Sequence, residues 1–235
     1  MSSIVLAVLL GAAIVNASPS LNARQSITAL TTSQIDAFTP YTYYASAGHC
    51  TNTQTLAWNC GTNCNANPGF KPVASGGNGD SVQYCTNPSE ILPLVTDADI
   101  LRTSLDSTLF PGISSSVGVH QGFKDAQAST ATDVLAAVKS AMSTHSATSV
   151  TMVGHSLGAA ISLLDSVYLP LWLPKGTTFR TIGYGLPRVG NQDFANYIDA
   201  NVHLTHINNK EDPIPIVPGD ESEHDGPYNG VEMGC

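Results

Sequence analysis

The chain has 235 residues, 42% of them apolar, which is enough for one domain with a hydrophobic core. Only 11% of the residues are charged, and 18 acidic against 9 basic residues give a formal net charge of -9. Because no basic stripe is present to neutralise phosphates, the composition argues against nucleic acid as a partner. The low charge content is typical of a compact extracellular protein rather than of a disordered chain.

The N-terminal sequence predicts a cleaved secretory signal. Ile4–Val15 is an apolar run too short to span a bilayer, and small residues surround a cleavage point after Ala17. We therefore expect residues 1–17 to be a signal peptide, residues 18–30 to be a pro-segment or disordered, and residues 31–235 to form a single domain. The alternative for the apolar run is a buried helix. No other stretch approaches membrane-spanning length, so we expect a secreted, extracellular protein without a transmembrane segment.

The region from residue 18 to residue 85 is rich in Asn, Gly and Pro and is predicted to consist largely of loops. One helix is expected there, over Thr31–Ala45, with Ser33 as its cap. Secretion makes the five cysteines candidates for disulfides, and Cys60 and Cys64 can close a small loop. Zinc is the alternative reading of the cysteines, but no pair of histidines has ligand spacing, so a metal site is not expected.

From residue 120 onward, the apolar pattern alternates between helical and strand periodicity. Thr130-x-x-Asp133 opens a predicted helix. The later predicted elements are a strand at Thr148–Val153, a helix at Leu157–Leu169 ended by Pro170, a strand at Thr178–Tyr184, a helix at Asn191–Ala200 and a strand at His203–Ile207. This alternation predicts an α/β fold with a mostly parallel sheet and helices on its faces.

The segment Gly154-His155-Ser156-Leu157-Gly158 joins a predicted strand to a predicted helix. A G-x-S-x-G motif in this context is typical of a nucleophile elbow, in which the serine occupies a strained turn. We expect both glycines to be needed because the tight turn leaves no room for side chains. The helix beginning at Leu157 directs its free N–H groups at the site, so Leu157 N–H can bind an oxyanion. The motif predicts a hydrolase with Ser156 as nucleophile; the alternative is an ordinary glycine-rich turn.

A serine nucleophile needs a histidine base and an acid that orients the base, and in this type of site they follow the serine in the order acid, histidine. Asp212 comes just after a predicted strand, where catalytic loops lie in open α/β sheets, and is favoured over acids on the preceding surface helix. His224 is the only histidine after Asp212. Its acidic neighbours predict a raised pKa and loss of activity at low pH. The alternative for His224 is a solvated histidine in an acidic tail.

These residues resemble the fungal class 3 lipases, which are extracellular triacylglycerol lipases with the α/β-hydrolase fold. The matching segments, from about Thr42 onward, are His120–Phe123, Gly154–Ala160, Tyr184–Asn191 and the block around Asp212. The resemblance implies Ser156, Asp212 and His224 as the triad. It implies Leu157 and Thr86 as oxyanion-hole residues. The implied disulfides are Cys50–Cys235 and Cys60–Cys64, with Cys85 left over.

The chain departs from the family pattern at two places, and both look like internal losses. Family members carry a buried strand that leads into a glycine followed by the Thr or Ser of the oxyanion hole. Here Tyr84 runs almost directly into Cys85-Thr86, so the glycine and the apolar strand are absent and we expect a sheet that lacks a central strand. The family also places a long segment between the acid and the histidine, whereas Asp212 and His224 are separated by only twelve positions.

The resemblance implies acyl transfer through Ser156, with an ester or lipid substrate and no cofactor. Pro88–Leu94 resembles the amphipathic lid of the family, which implies transient contact with a lipid surface; a short core segment is the alternative. Two other functions stay open. One is a feruloyl-type or short-chain carboxylesterase, and the other is a catalytically impaired or non-catalytic variant of the same fold.

Overall fold

The computed structural model of the chain describes residues 30–77, 101–209 and 212–217, together with the backbone of residues 83–84 and 231–234. The expected signal peptide, nearly all of the expected pro-segment and the lid-like Pro88–Leu94 segment lie outside the described residues. The expected single domain over residues 31–235 therefore stays a prediction.

Helices and strands alternate through the second half of the described chain. The α-helices are α1 (Thr32–Asp36), α2 (Thr39–Ala47), α3 (Asn52–Leu56), α4 (Thr62–Asn65), α5 (Gln121–Ala128), α6 (Ala131–His145), α7 (Leu157–Trp172) and α8 (Gln192–Asn201), and a 3₁₀ turn covers Ile214–Ile216. The strands are β1 (Gly76–Gly77), β2 (Gln83–Tyr84), β3 (Arg102–Ser104), β4 (Gly118–His120), β5 (Ser149–His155), β6 (Thr178–Tyr184), β7 (Leu204–Asn208) and β8 (Val231–Gly234).

Strands β5, β6, β7 and β8 form a parallel sheet in that order, while β1–β2 and β3–β4 are short antiparallel pairs. Successive side chains of a strand point to opposite faces. Met152 on β5 packs into the core that contains α7, whereas Val153 packs with Phe38 and Tyr41 of the α1–α2 region. Helices therefore cover both faces of the sheet, and the predicted α/β fold is confirmed.

Strand β5 occupies an edge of the sheet. Among the described residues it pairs only with β6, over the whole length from Ser149 to His155. The exposed Thr151 and His155 fit this edge position. Residues 85–100 lie outside the described residues, so the expected loss of a central strand stays a prediction.

Two predicted helix boundaries are wrong. The expected single helix over Thr31–Ala45 is split into α1 and α2, because Pro40 lies in the first turn of α2 and supplies no N–H. The N-cap of α1 is Thr31 rather than the expected Ser33, and Thr31 forms a reciprocal capping box with Gln34.

Helix α7 was expected to end before Pro170 but runs through it to Trp172. A proline in the last turn removes only one helical hydrogen bond. Other contacts hold this turn: Trp172 Nε1 donates to the carbonyl of Leu109 at 2.8 Å, and its ring packs against Tyr168. Tertiary contacts therefore outweigh the local preference of proline.

The core face of α7 carries an acid. Asp165 is only 8% exposed, and the side-chain amide of Gln127 on α5, fully buried, donates to Asp165 Oδ1 at 2.9 Å. Burial raises the pKa of Asp165 to about 7, although the Gln127 hydrogen bond opposes this shift. Gln127 Oε1 has no donor among the described residues. A protonated Asp165 carries an O–H that can be donated to such an acceptor, so the neutral carboxyl group suits this site.

Replacing Asp165 with Asn is expected to stabilise the protein in a pH-dependent manner. The folded chain keeps a proton that the unfolded chain releases between about pH 4 and pH 7, so the stability of the natural protein falls as pH rises through this window. The gain in free energy of unfolding for Asp165→Asn is expected to be near zero below this window and about 4 kcal/mol above it. Urea unfolding of both proteins at several pH values measures it.

The exposed Asp133 on α6 provides the matched control. Asp133→Asn removes the same charge without a buried partner, so its effect is expected to stay small and nearly constant across this pH range. A gain for Asp165→Asn that did not change with pH would contradict a buried neutral carboxyl group.

Candidate active site

Ser156 lies on a sharp turn between β5 and α7. Its backbone has φ 52° and ψ -122°, a positive φ that non-glycine residues rarely adopt. The Ser156 N–H donates to the carbonyl of Tyr184 at 2.9 Å, and the Ser156 carbonyl accepts from Ala159 N–H at 2.9 Å. The predicted strand, strained turn and helix are therefore present, and the half-buried Ser156 is at their junction.

The two glycines of the motif are not equivalent. A Cβ on Gly154 would lie 2.1 Å from the carbonyl oxygen of Gly158 and 2.6 Å from Ala159 N, both backbone atoms that cannot yield. A Cβ on Gly158 would meet no described atom within 4 Å. The expectation that the turn requires both glycines is thus wrong for Gly158: the close approach of strand and helix requires only Gly154.

Leu157 is the first residue of α7, so its N–H has no carbonyl of an earlier helical turn to bind. The N-terminal end of the helix also carries partial positive charge. The backbone at Leu157 can therefore donate to a developing oxyanion beside Ser156. The second expected oxyanion residue, Thr86, lies outside the described residues.

Asp212 follows β7 and is half-buried. Its backbone N–H donates to the carbonyl of Asn209 at 2.9 Å, and its Oδ1 accepts from Ile214 N–H at 3.0 Å. These bonds fix the carboxylate on a short turn. The turn stands at the carboxyl-terminal edge of the parallel sheet, the edge at which β5 ends next to Ser156.

Gly185 connects the serine turn with the acid. It follows Tyr184, whose carbonyl accepts from Ser156 N–H, and its own N–H donates to the carbonyl of Ile207 at 2.9 Å. Gly185 has φ 52°, and a Cβ there would lie 2.8 Å from Asp212 Oδ2. The absence of a side chain at this position lets the carboxylate approach the backbone behind Ser156.

The rest of the Tyr184–Asn191 segment holds neighbouring loops in place. Arg188 N–H donates to the carbonyl of Val217 at 2.9 Å, which ties this segment to the chain just after Asp212. Asn191 caps α8 by accepting from Phe194 N–H at 2.9 Å. The same side chain binds the residues at the start of β4 through Gly118 N–H and the Ser116 carbonyl. The segment therefore anchors the chain just after Asp212 and the start of β4.

Two histidines near the site were missed by sequence reasoning. The ring of His155, beside Ser156, lies with its centroid 5.8 Å from that of His49 at the end of α2. Partial burial and the charge of His49 lower the pKa of His155, and the charge of Asp212 raises it. The link between His49 and His155 spans over a hundred residues, so no local pattern could have revealed it.

His224, the expected base, lies outside the described residues, so its role stays a prediction. Within the described part, no group of three or more His, Cys, Asp or Glu side chains is placed to hold a metal ion. No described helix combines the length and the apolar character needed to cross a membrane.

The disulfide predictions have different outcomes. Cys60 and Cys64 form the expected bridge, with their Cα atoms 5.2 Å apart. Cys50 carries a free thiol in the described part of the chain, and its expected partner Cys235 lies outside that part, so the Cys50–Cys235 bridge stays a prediction. That thiol faces the carbonyl of Cys60, with 4.0 Å between Sγ and the oxygen. Cys85 and Cys235 lie outside the described residues.

The structure is similar to solved lipases of the α/β-hydrolase fold. A triacylglycerol lipase whose catalytic centre is formed by a serine protease triad aligns with a TM-score of 0.72 at 24% identity, covering 88% of this chain and 82% of that chain. Lipase II from Rhizopus niveus aligns with a TM-score of 0.70 at 24% identity, covering 87% and 82%. The fold of this chain is thus that of an α/β hydrolase.

The class 3 lipase family model matches residues 85–222, and this chain belongs to that family. A secreted mono- and diacylglycerol lipase of Malassezia globosa is 34% identical over 148 residues, covering 62% of this chain and 48% of that protein. One from Fusarium solani is 36% identical over 105 residues, covering 43% and 30%. The chain therefore spans at most about half the length of these curated relatives. The region matched by the family model includes Ser156 and Asp212 but ends just before His224.

Substitution of the two motif glycines by alanine is expected to have opposite outcomes. Gly154→Ala forces strand and helix backbones apart and should lower the free energy of unfolding by about 4 kcal/mol or more. Gly158→Ala places a methyl group in open space on a helix and should keep or slightly raise the melting temperature. Soluble yield and thermal unfolding of both variants measure this. Equal losses in both would contradict the geometry of the turn.

Gly185→Ala is expected to impair the site more than the fold. The new methyl group displaces Asp212 Oδ2, and a shift of about 1 Å in a catalytic group can lower kcat/KM roughly a hundredfold. The positive φ adds only about 1–2 kcal/mol of strain. Ester hydrolysis and thermal unfolding are measured together. An active enzyme with unchanged kcat/KM would show that Asp212 does not need its present position.

Proposed function

We propose that this protein is a secreted serine hydrolase that cleaves carboxylic esters of acylglycerols through an acyl-enzyme intermediate. The observation that carries the proposal is the elbow at Ser156, with a non-glycine residue at φ 52° between a parallel strand and the N-terminus of α7. This geometry raises the hydroxyl above the sheet and places the free Leu157 N–H beside it. Asp212 at the same edge of the sheet adds the acid that such a site needs.

The proposed mechanism assigns one role to each predicted residue. His224 accepts the Ser156 proton during attack on the ester carbonyl and later returns it to the leaving alcohol. Asp212 orients His224 and stabilises its charged form. Leu157 N–H and Thr86 bind the oxyanion, and water then releases the fatty acid. The chemistry needs no cofactor. The roles of His224 and Thr86 rest on chain order and on resemblance to the family; a solved relative has a triad of the serine protease type.

The substrate class follows from the relatives and from one local feature. The curated relatives include secreted mono- and diacylglycerol lipases, and their names favour secretion and an acylglycerol substrate for this chain as well. Ile216, four residues after Asp212, is 63% exposed. An apolar side chain beside the acid suits contact with an acyl chain or with a lipid surface.

Labelling with a fluorophosphonate probe tests the reactive serine. The natural protein is expected to be labelled, Ser156→Ala is expected to lose the label completely, and Asp212→Asn should react roughly a hundredfold or more slowly because the base loses its orientation. Ser115→Ala, an exposed serine on a loop, is the matched control and should be labelled as fast as the natural protein. A folded natural protein without label would favour the non-catalytic variant.

A panel of esters tests the substrate class. Emulsions of mono-, di- and triacylglycerols are compared with a soluble short-chain ester and a feruloyl ester at equal ester concentration. We expect faster hydrolysis of the acylglycerol emulsions, because exposed apolar residues near the site gain contacts at a lipid surface. Hydrolysis of the soluble or feruloyl ester alone would instead favour the short-chain or feruloyl-type esterase.

A further inference from the structure

Three titratable side chains meet beside the serine turn. His155 ends β5, His49 comes from the end of α2, and Asp212 comes from the turn after β7. A Cβ placed on Gly185 would lie 2.8 Å from Asp212 Oδ2 and 3.8 Å from His155 Nε2, so this oxygen and this nitrogen border the same small space. The His49 ring packs against the His155 ring, at 5.8 Å between centroids.

The two oxygens of Asp212 differ in their surroundings. Oδ1 accepts from Ile214 N–H at 3.0 Å, whereas Oδ2 accepts no hydrogen bond from the described residues. Oδ2 is therefore the oxygen best placed to receive an imidazole N–H. It is also the oxygen that borders His155 Nε2. A base and His155 can thus compete for one acceptor.

The charge on His155 decides this competition. Among the described residues, the titratable groups that face His155 are His49 from α2, Tyr184 from β6 and Asp212 from the turn after β7. The Tyr184 hydroxyl is already bonded, since it donates to the Phe38 carbonyl and accepts from Thr42. Partial burial and His49 lower the pKa of His155, while Asp212 opposes them. His155 is therefore uncharged near neutral pH and becomes charged as pH falls.

We propose that His155 is a positioning residue that controls Asp212: in acid, its imidazolium pairs with Asp212 Oδ2 and withdraws this carboxylate from the catalytic base. The inference rests on the proposed function, because it needs Asp212 to orient a base for Ser156. At neutral pH the uncharged His155 leaves Oδ2 free. Attraction between the opposite charges of His155 and Asp212 favours the pair once His155 is protonated.

If His155 controls Asp212 in this way, kcat falls more steeply with decreasing pH than a single protonation allows. One protonation, of the base, lowers kcat about tenfold for each pH unit below its pKa. If protonation of His155 also inactivates the enzyme, each pH unit below both pKa values lowers kcat about a hundredfold. The slope of log kcat against pH in the acidic limb therefore shows whether protonation of His155 inactivates the enzyme or has no effect on it.

The test measures kcat for a soluble short-chain p-nitrophenyl ester across the acidic limb. The natural protein is expected to approach a slope of about 2, and His155→Gln a slope of about 1. His49→Gln removes the neighbour whose charge lowers the pKa of His155, so this pKa rises and the steep region should move to higher pH. His203→Gln, an exposed histidine before β7, is the matched control and should follow the natural profile.

The outcomes separate this inference from the proposed function. No hydrolysis at any pH by a protein that stays folded by circular dichroism overturns the proposed function and the inference with it. Hydrolysis with a slope of 1 in the natural protein, or an unchanged slope of 2 in His155→Gln, overturns the inference alone. A histidine NMR titration gives a second measurement: Asp212→Asn should lower the pKa of His155, and an unchanged value would also overturn the proposal.

Discussion

The close approach of β5 and α7 at Gly154 is the contact on which the site depends. The chain reverses there so tightly that the Gly158 carbonyl occupies the place where a Cβ of residue 154 would be. At this turn Ser156 has a positive φ, and Leu157, as the first residue of α7, has an N–H without a helical acceptor. The strained serine backbone and the free donor therefore lie side by side. The core face of α7 stabilises the arrangement by packing against the sheet.

The acid is placed by backbone contacts from another part of the chain. Gly185 lies between the serine turn and Asp212, and it can do so because it has no side chain and tolerates a positive φ. Arg188 and Asn191 then bind the loops on either side through backbone groups. The Tyr184–Asn191 segment thus supports the turn that carries the Asp212 carboxylate. The same crowding brings His155 to Asp212, whose charge raises the pKa of His155.

The sequence predicted those elements of the fold whose signal, an apolar period or a motif, lies within a short stretch of the chain. Strand β6 has the predicted bounds, and the strand–turn–helix at Ser156 was expected from the motif and its apolar flanks. Asp212 was chosen because it follows a strand, and the structure places it at the same edge of the sheet as Ser156. Two effects of proline were missed: the first helix is split at Pro40, and α7 continues through Pro170. Each depends on how the local preference of proline compares with the contacts that neighbouring residues make.

Contacts between distant residues were not predictable in this way. Nothing local distinguishes Gly154 from Gly158, because the difference is the position of a backbone carbonyl. The roles of Gly185 and Asn191 and the meeting of His49 with His155 need the folded chain. The expected pairing of Cys50 with Cys235 came from family resemblance, and it stays a prediction because Cys235 lies outside the described residues.

The edge position of β5 has a consequence for local dynamics. The strand that presents the nucleophile is held, among the described residues, by one ladder of backbone hydrogen bonds instead of two. Fraying of this strand therefore breaks fewer bonds than fraying of β6, which is paired on both sides. Amide protons along β5 consequently exchange with solvent through smaller opening events than those of β6. The strained serine thus stands at the end of the less protected of these two strands.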